Sequence, residues 1–237
     1  MTSPGDSQPD VGVVGVVVVA AGAGVRAGPG EPKQFRPILG VPMLLRALRP
    51  FTSHPDVVQV VVVVPAGFDA RPPEWLGKLV GDRLGLVAGG ATRAQSVRAG
   101  LGGLPPHVAV VLVHDAARPF VTRETIDGVV AKARLGVGAV AAIPVSDTVK
   151  DVEQDRITRT VARDRLWRAQ TPQGFPRAMI ERAYAELANG DAAPTDDAEL
   201  CERAGFPVEV VPDSPYNLKV TTADDFRVAE ALARELR

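Results

Sequence analysis

The sequence predicts an α/β fold: a doubly wound, mostly parallel sheet with helices on both faces. Five short valine-rich runs, separated by segments of helical character, carry this prediction. The runs are apolar throughout rather than alternating, which is typical of strands covered on both faces of a parallel sheet. Strands that alternate with helices along the chain favour a doubly wound arrangement. At 237 residues the chain is long enough for one large domain.

The predicted elements follow one another without an internal repeat. Strands are predicted at residues 13–20, 57–64, 84–88, 108–114, 137–143 and 208–211. Helices are predicted at residues 42–51, 93–101, 122–134, 176–188, 196–204 and 222–236. Residues 1–10 are polar and rich in Pro, Gly and Ser, which predicts a disordered tail ahead of a single domain at 11–237.

Residues 144–171 depart from the βα pattern. They are more charged and alternate polar with β-branched side chains, which predicts a pair of exposed strands that form an arm. An exposed two-stranded hairpin is marginally stable by itself in water. We therefore expect the arm to pack on another surface. A second subunit is the simplest candidate, which predicts a homodimer.

Composition limits the classes of partner. A formal net charge of -1 gives no bulk electrostatic reason to bind nucleic acid or an anionic membrane. The apolar stretch at 11–25 lacks the basic flank of a secretory signal and is too short to span a bilayer. The single cysteine, Cys201, excludes an internal disulfide and a cysteine-based zinc site. Such cysteine usage fits a reducing cytoplasm.

A glycine-rich loop follows the first predicted strand. Its Gly22-x-Gly24-x-x-Ala27 pattern is close to the fingerprint of dinucleotide-binding enzymes. In those enzymes an acidic residue that binds the ribose follows about 20 residues further on. The second predicted strand instead ends in PAG, without an acid at its tip. A dehydrogenase is therefore disfavoured, and it stays as the alternative from another reaction class.

Two cations in the same loop indicate a triphosphate. Arg26 and Lys33 lie among prolines and glycines that keep the chain irregular up to about Phe35. Backbone N–H groups of such a loop can approach phosphate oxygens while the cations neutralise the charge that develops on them. The loop is not a P-loop, since no Gly-Lys-Ser/Thr follows. A tight turn with solvated Arg and Lys side chains is the structural alternative.

Two further segments sit where open α/β sheets place ligands, at the ends of predicted strands. Asp115, in VLVHDAARPF, is the candidate for a divalent cation, with Arg118 beside it. A helix cap or a structural Asp–Arg pair is the alternative. His114 is interpreted as a packed or hydrogen-bonding residue. In AGGATRAQSV, small residues would let a flat base approach the backbone and Ser96 could hydrogen-bond it, although Gly-Gly before a helix is a common turn.

Nine motifs in order and spacing resemble the 2-C-methyl-D-erythritol 4-phosphate cytidylyltransferase family over roughly residues 12–236. They are Ala20-Ala21-Gly22-x-Gly24-x-Arg26, Pro32-Lys33-Gln34-Phe35, Gly89-Gly90-x-x-Arg93-x-x-Ser96-Val97, His114-Asp115-Ala116-Ala117-Arg118-Pro119, Asp147-Thr148-Val149-Lys150, Thr160-Val161-x-Arg163, Gln170-Thr171-Pro172-Gln173, Thr195-Asp196-Asp197-Ala198 and Asn217-Leu218-Lys219-Val220-Thr221.

The resemblance implies a Rossmann-like nucleotidyltransferase sheet with a protruding β-arm. It also implies a reaction in which CTP and methylerythritol 4-phosphate give the CDP-alcohol and pyrophosphate with Mg²⁺, in isoprenoid biosynthesis. The implied catalytic residues are Arg26, Lys33, Arg163 and Lys219. The implied nucleotide-binding residues are Ala20, Ala21, Gly22, Ala23, Gly24, Lys33, Gly89, Gly90, Arg93, Ser96, Asp115 and Ala116. The implied substrate-binding residues are Asp115, Arg118, Thr148, Arg163, Thr171 and Lys219, and Asp115 is the implied metal residue.

In this family the arm, with Thr148 and Arg163, reaches into the partner's site, so the resemblance implies a homodimer through residues 144–171. The chain departs from the family pattern at Ala27, where Met is common, and at Ala162, where Asp commonly precedes the substrate-binding Arg. The nearest rival is a cytidylyltransferase for another polyol phosphate such as ribitol 5-phosphate. A non-catalytic homologue is the third alternative, disfavoured because Lys33 and Lys219 are both present.

Overall fold

A computed structural model of the chain describes residues 13–22, 32–187 and 192–236. The strands are β1 (Val14–Val19), β2 (Pro37–Ile38), β3 (Val41–Pro42), β4 (Val57–Val64), β5 (Leu84–Ala88), β6 (Val110–Asp115), β7 (Gly138–Pro144), β8 (Val149–Glu153), β9 (Arg156–Val161), β10 (Trp167–Pro176) and β11 (Val208–Pro212). The helices are α1 (Met43–Thr52), α2 (Glu74–Gly77), α3 (Arg93–Gly102), α4 (Arg123–Arg134), α5 (Arg177–Glu186), α6 (Asp197–Arg203) and α7 (Ala223–Glu235).

Seven strands form one sheet in the order β11-β7-β10-β6-β1-β4-β5. Every neighbouring pair is parallel except those made by β10, which runs antiparallel to both β6 and β7. The prediction of a doubly wound, mostly parallel α/β sheet is confirmed. Strands β1 and β6 lie side by side, so their carboxyl ends meet at one edge of the sheet.

Both faces of the sheet are covered, which explains the continuous apolar runs. In β1, Val16 and Val18 pack on one face with residues of α1 and α4, such as Leu44 and Ile126. The intervening Val17 packs on the other face with residues of α3, α5 and α6. Because successive side chains of a strand point to opposite faces, a strand that is buried on both sides has no polar alternation.

Strand β10 is absent from the predicted elements, and its position shows that the predicted arm, residues 144–171, extends too far toward the C-terminus. The sequence pattern places residues 167–171 in the arm, but they begin a strand that lies inside the main sheet. Its middle carries Gln170, Thr171 and Gln173, which are buried polar side chains. A strand of this composition gives no apolar run, so the pattern that located its neighbours did not locate it.

The projecting hairpin consists of β8 and β9, which pair antiparallel in a sheet of their own. Their residues are mostly exposed, as predicted, and Val152 and Ile157 are 52% and 64% exposed. None of the helices in the three described ranges is long and apolar enough to cross a membrane. The predicted tail, residues 1–10, lies outside the described residues.

Candidate active site

A cleft of about 550 Å³ opens at the carboxyl ends of β1 and β6. Its lining comes from the loop after β1, the segment before α3, the end of β6 and the segment before α7. The lining residues are Val19, Ala20, Ala21, Gly22, Lys33, Gln34, Gly90, Ala91, Thr92, Arg93, Ser96, Asp115, Ala116, Ala117, Lys219 and Thr221. The cleft therefore lies at the edge where open α/β sheets bind ligands.

A buried glutamine holds the loop that follows β1. The Nε2 of Gln34 donates a hydrogen bond to the carbonyl oxygen of Ala20 at 2.5 Å. The carbonyl oxygen of Gln34 in turn accepts from the N–H of Leu44 at the start of α1, at 2.8 Å. Gln34 thus fixes both ends of the glycine-rich loop to the core. Ala23, Gly24 and Arg26, which are predicted to bind or act there, lie outside the described residues.

The segment between β5 and α3 is braced by a serine. The hydroxyl of Ser96 donates to the carbonyl oxygen of Thr92 at 3.0 Å and accepts from the N–H of Gly90 at 3.2 Å. Thr92 also caps α3, because its hydroxyl accepts from the N–H of Gln95 while the Gln95 side chain accepts from the N–H of Thr92. The two bonds of Ser96 hold Gly90 against the start of α3 and shape this wall of the cleft.

Gly89 is required by packing in the same wall. A Cβ built on it would collide with the Cβ of Ala21 and lie 2.9 Å from the hydroxyl of Ser96. Neither atom belongs to the far end of a flexible side chain, so the two loops that form the walls would have to separate.

We expect Gly89→Ala to weaken CTP binding about tenfold, since a methyl group that does not fit displaces the surface a base would contact. Isothermal titration calorimetry with CTP measures the change. Gly102→Ala is the matched control, because its Cβ meets no atom within 4 Å at the end of α3. Wild-type affinity in Gly89→Ala would show that this wall does not touch the nucleotide.

Asp115 lies at the centre of the charged part of the cleft. Its Oδ2 is 2.7 Å from the Nζ of Lys219, and its Oδ1 is 3.7 Å from a guanidinium nitrogen of Arg93. Burial acts to raise the pKa of Asp115, but the charges of Lys219 and then of Arg93 outweigh it and lower the pKa to about 2. The carboxyl group is therefore ionised at neutral pH and held between two cations.

Lys33 lines the same cleft. Its Nζ donates a hydrogen bond to the carbonyl oxygen of Val220 at 3.0 Å, so it contacts the segment that carries Lys219. That segment is attached to the loop after β6, since the N–H of Val220 donates to the carbonyl oxygen of Ala117 at 2.8 Å. Three cations from distant parts of the sequence, Lys33, Arg93 and Lys219, thus line the cleft that also contains the Asp115 carboxylate.

A chain of hydrogen bonds beneath Asp115 fixes its backbone. The hydroxyl of Thr171 accepts from the N–H of Asp115 at 3.0 Å and bonds to Nδ1 of His114 at 3.1 Å. The other ring nitrogen of His114 lies 3.0 Å from the carbonyl oxygen of Arg118, an acceptor, so that nitrogen carries the proton. Burial lowers the pKa of His114 to about 4, which keeps the ring neutral. His114 is a hydrogen-bonding core residue, as predicted.

The predicted substrate residues fall into three groups. Lys219 and Asp115 line the cleft. Arg118 and Thr171 are buried below it, and Arg118 donates to the carbonyl oxygen of Asn217 at 2.7 Å. Thr148 and Arg163 lie exposed at the base of the hairpin, outside the lining of the cleft, and Arg163 donates to the carbonyl oxygen of Ser146.

Two residues of the site were missed by sequence reasoning. Gln34 and Asp197 both stand in the motifs named above, but the resemblance implies no role for either. Each is a polar side chain with at most 2% of its surface exposed. The sequence signal for both is a polar residue inside a motif. Their hydrogen-bond partners, Ala20 for Gln34 and Arg93 for Asp197, could not be inferred from spacing.

A divalent cation would find one protein carboxylate in this cleft. Among the described residues that line it, Asp115 is the one acid. No group of three or more His, Cys, Asp or Glu side chains suited to a metal occurs in the described ranges. One carboxylate fits Mg²⁺ that takes most of its ligands from phosphates and water, and it does not fit an all-protein metal cage.

Known proteins of one family are similar to this chain over nearly its whole length. A family model described as 2-C-methyl-D-erythritol 4-phosphate cytidylyltransferase (IspD) matches residues 14–235. A protein of that name from Syntrophus aciditrophicus is 40% identical over 226 residues, which cover 92% of this chain and 95% of the relative. One from Streptomyces coelicolor is 42% identical, covering 93% of this chain and 85% of the relative.

A solved structure is similar to this chain in fold as well as in sequence. The crystal structure of 2-C-methyl-D-erythritol 4-phosphate cytidylyltransferase from Thermus thermophilus superposes with a TM-score of 0.77 at 35% identity, covering 92% of this chain and 98% of that one. The match of the family model, the relatives at this identity and the cleft at the carboxyl ends of β1 and β6 lead to one conclusion. The chain belongs to the 2-C-methyl-D-erythritol 4-phosphate cytidylyltransferase family.

Proposed function

We propose that this chain transfers CMP from CTP to 2-C-methyl-D-erythritol 4-phosphate and releases pyrophosphate in the cleft described above. Membership of the family makes the chain a cytidylyltransferase, an enzyme of isoprenoid biosynthesis. The single observation that carries the assignment of this chemistry to the cleft is that Lys33, Arg93 and Lys219 line it together with the ionised Asp115. Such a group is suited to hold two polyanions together.

The reaction needs charge neutralisation more than proton transfer. A phosphate oxygen of the acceptor forms a bond to the α-phosphorus of CTP as the bond from that phosphorus to the bridging oxygen of pyrophosphate breaks. The attacking oxygen is already anionic, so no general base is required. Positioning the two anions in line and neutralising the charge on the α-phosphate and the leaving group supply most of the rate enhancement.

The residues divide this work by position. Lys33, and Arg26 from the same loop, neutralise the triphosphate at the α-phosphorus, and Lys219 draws the acceptor phosphate toward it. Cytosine and ribose bind between two walls, which are formed by the Gly22 loop on one side and by Gly89, Gly90 and Ser96 on the other. Arg93 faces the nucleotide. Asp115 holds Lys219 in place and contacts ribose or acceptor hydroxyls, with Arg118 and Thr171 fixing the segment around it.

Magnesium fits the same arrangement. Asp115 would supply a carboxylate oxygen to Mg²⁺ that is otherwise held by the triphosphate. When bound, the ion adds positive charge where the phosphates meet.

The single Cys201, which is buried, supports a cytoplasmic location for the enzyme.

The rate of pyrophosphate release with two acceptors tests this proposal. We expect turnover with methylerythritol 4-phosphate, CTP and Mg²⁺, and little or none with ribitol 5-phosphate. Preference for ribitol 5-phosphate would keep the mechanism and overturn the assigned substrate. Binding of CTP without turnover of either acceptor would identify a non-catalytic homologue.

The hairpin is proposed to complete the site of a partner subunit in a homodimer. Thr148 and Arg163 are exposed and outside the cleft of their own chain, although their predicted role is to bind the acceptor phosphate. The exposed Val152 and Ile157 of the same hairpin are apolar surfaces that a second chain would cover. Reaching across to the partner's cleft would account for both features.

Hybrid dimers test this arrangement. Arg163→Ala and Lys219→Ala, each inactive alone, are mixed, unfolded and refolded together. If the hairpin crosses, half of the dimers are hybrids with one intact site of two, so about a quarter of wild-type activity returns. If Arg163 serves its own chain, both sites of every hybrid are defective and activity stays at the level of the single variants.

A further inference from the structure

A buried acid lies behind the wall of the cleft that Arg93 forms. Asp197, the first residue of α6, has 0% of its surface exposed. One guanidinium nitrogen of Arg93 donates to its Oδ2 at 2.7 Å, and the hydroxyl of Tyr184 in α5 donates to its Oδ1 at 2.6 Å. A carboxylate without exposure to water is stable only when it is paired and hydrogen-bonded, and these two donors meet that need.

The position of Asp197 is itself fixed from β10. The Oε1 of Gln173 accepts from the N–H groups of Asp197 and Ala198, at 3.1 and 3.0 Å. The Nε2 of the same side chain donates to Asp196 at 2.9 Å, and Asp196 caps α6. One glutamine of the central sheet therefore sets where α6 begins, and with it where the Asp197 carboxylate lies.

Arg93 lies between two carboxylates with different tasks. It is 2.7 Å from Asp197 and 3.7 Å from Asp115, whose nearest cation is Lys219. Burial acts to lower the pKa of Arg93, but the charge and hydrogen bond of Asp197 raise it above its usual value. The same guanidinium nitrogen makes both contacts, so Asp197 takes its hydrogen bond and leaves Asp115 the longer ion pair. Arg93 also lines the cleft.

We propose that Asp197 is a positioning residue for nucleotide binding, which holds Arg93 at the cleft wall and keeps its 3.7 Å ion pair with Asp115 from shortening to a hydrogen bond. The proposal rests on the proposed function, since it assigns the cleft to CTP. Without the charge of Asp197, Arg93 moves toward Asp115, its other carboxylate partner. It then leaves the position from which it contacts CTP. Asp197 never touches the nucleotide and acts through Arg93.

The test is the dissociation constant of CTP for Asp197→Asn, measured by calorimetry without acceptor. Asparagine keeps the size of the side chain and an acceptor for Tyr184 but removes the charge. We expect CTP affinity to fall about tenfold, as for the loss of one charge-assisted hydrogen bond. In steady-state assays KM for CTP should rise by a similar factor and kcat should change little. Glu202→Gln, an exposed acid of the same helix, is the control and should bind CTP as wild type does.

A double-variant cycle separates positioning from a general structural role. In an Arg93→Ala background, Asp197→Asn should weaken CTP binding no further, because the residue through which it acts is gone. An equal loss in both backgrounds, or wild-type affinity in Asp197→Asn, would overturn the proposal. If Arg93→Ala does not fold, Tyr184→Phe, which removes one donor to Asp197, should weaken binding in the same direction but less, and unchanged affinity there would contradict the proposal.

These measurements keep the two proposals apart. Wild-type turnover of methylerythritol 4-phosphate tests the function and does not depend on Asp197. The CTP binding cycle tests the positioning role and needs no acceptor. A wild-type chain that binds CTP, shows the cycle and turns over no methylerythritol 4-phosphate would overturn the function alone.

Discussion

Lys33→Met is expected to lower kcat for CMP transfer by about 10²–10³-fold, the range seen when one preorganised donor to transition-state charge is removed. Lys33 reaches the cleft from the glycine-rich loop, and its Nζ is held at 3.0 Å from the carbonyl oxygen of Val220. The methionine keeps the length and apolar volume of the stem, so the change removes mainly the charge. KM for CTP should rise as well, because the same ammonium contacts the ground-state triphosphate.

The initial rate of pyrophosphate release, measured over a range of CTP concentrations, gives both constants. Lys78→Met is the matched control: its side chain is 71% exposed and pairs with Glu74 in α2, away from the cleft. It should leave both constants unchanged. A Lys33→Met variant with near-wild-type kcat would remove Lys33 from the catalytic group.

Lys219→Met is expected to lower kcat/KM for the acceptor by about 10²–10³-fold and also to destabilise the fold. Lys219 is the nearest cation to Asp115, at 2.7 Å, and it is the largest influence that lowers the pKa of that carboxyl group against burial. Without it the pKa of Asp115 rises. The carboxylate that remains loses a charged partner, at a cost of about 1–3 kcal/mol in the free energy of unfolding.

A second substitution distinguishes the two effects of Lys219. Lys219→Met combined with Asp115→Asn removes the carboxylate that has lost its closest cation, so urea unfolding should show much of the lost stability regained. Pyrophosphate release should stay as low as in the single variant, since both cation and carboxylate are absent. Recovery of activity in the double variant would mean that Lys219 serves Asp115 alone and takes no part in the transfer.

The sequence predicted the parts of the fold that repeat one physical pattern. Strands such as β1 and β4 are buried on both faces, so apolar runs located them to within one or two residues. Strand β10 was not predicted because its buried residues Gln170, Thr171 and Gln173 are polar. Their hydrogen-bond partners, such as Asn217 and Asp196, lie far along the chain. A polar strand in the centre of a sheet is stabilised by contacts that no local pattern records.

The candidate site divides in the same way. The ends of β1 and β6 were expected to carry ligand-binding residues because strand ends of a parallel sheet meet at one edge. The contact between Lys219 and Asp115 depends on the segment before α7 folding onto the loop after β6. The resemblance implies that both residues bind substrate, but neither it nor the spacing predicts their ion pair. The hydrogen bond from Arg93 to Asp197 joins helices α3 and α6 across the fold, and only the structure could reveal it.

The most direct test of the account is ³¹P NMR of a mixture of the enzyme, CTP, Mg²⁺ and methylerythritol 4-phosphate. Attack of the acceptor phosphate on the α-phosphorus predicts that a new pair of coupled diphosphate signals appears in step with pyrophosphate, at the expense of CTP and the phosphomonoester. The same mixture with Lys33→Met should show this far more slowly. Release of orthophosphate, or consumption of CTP while the phosphomonoester signal stays constant, would contradict transfer of CMP to this acceptor.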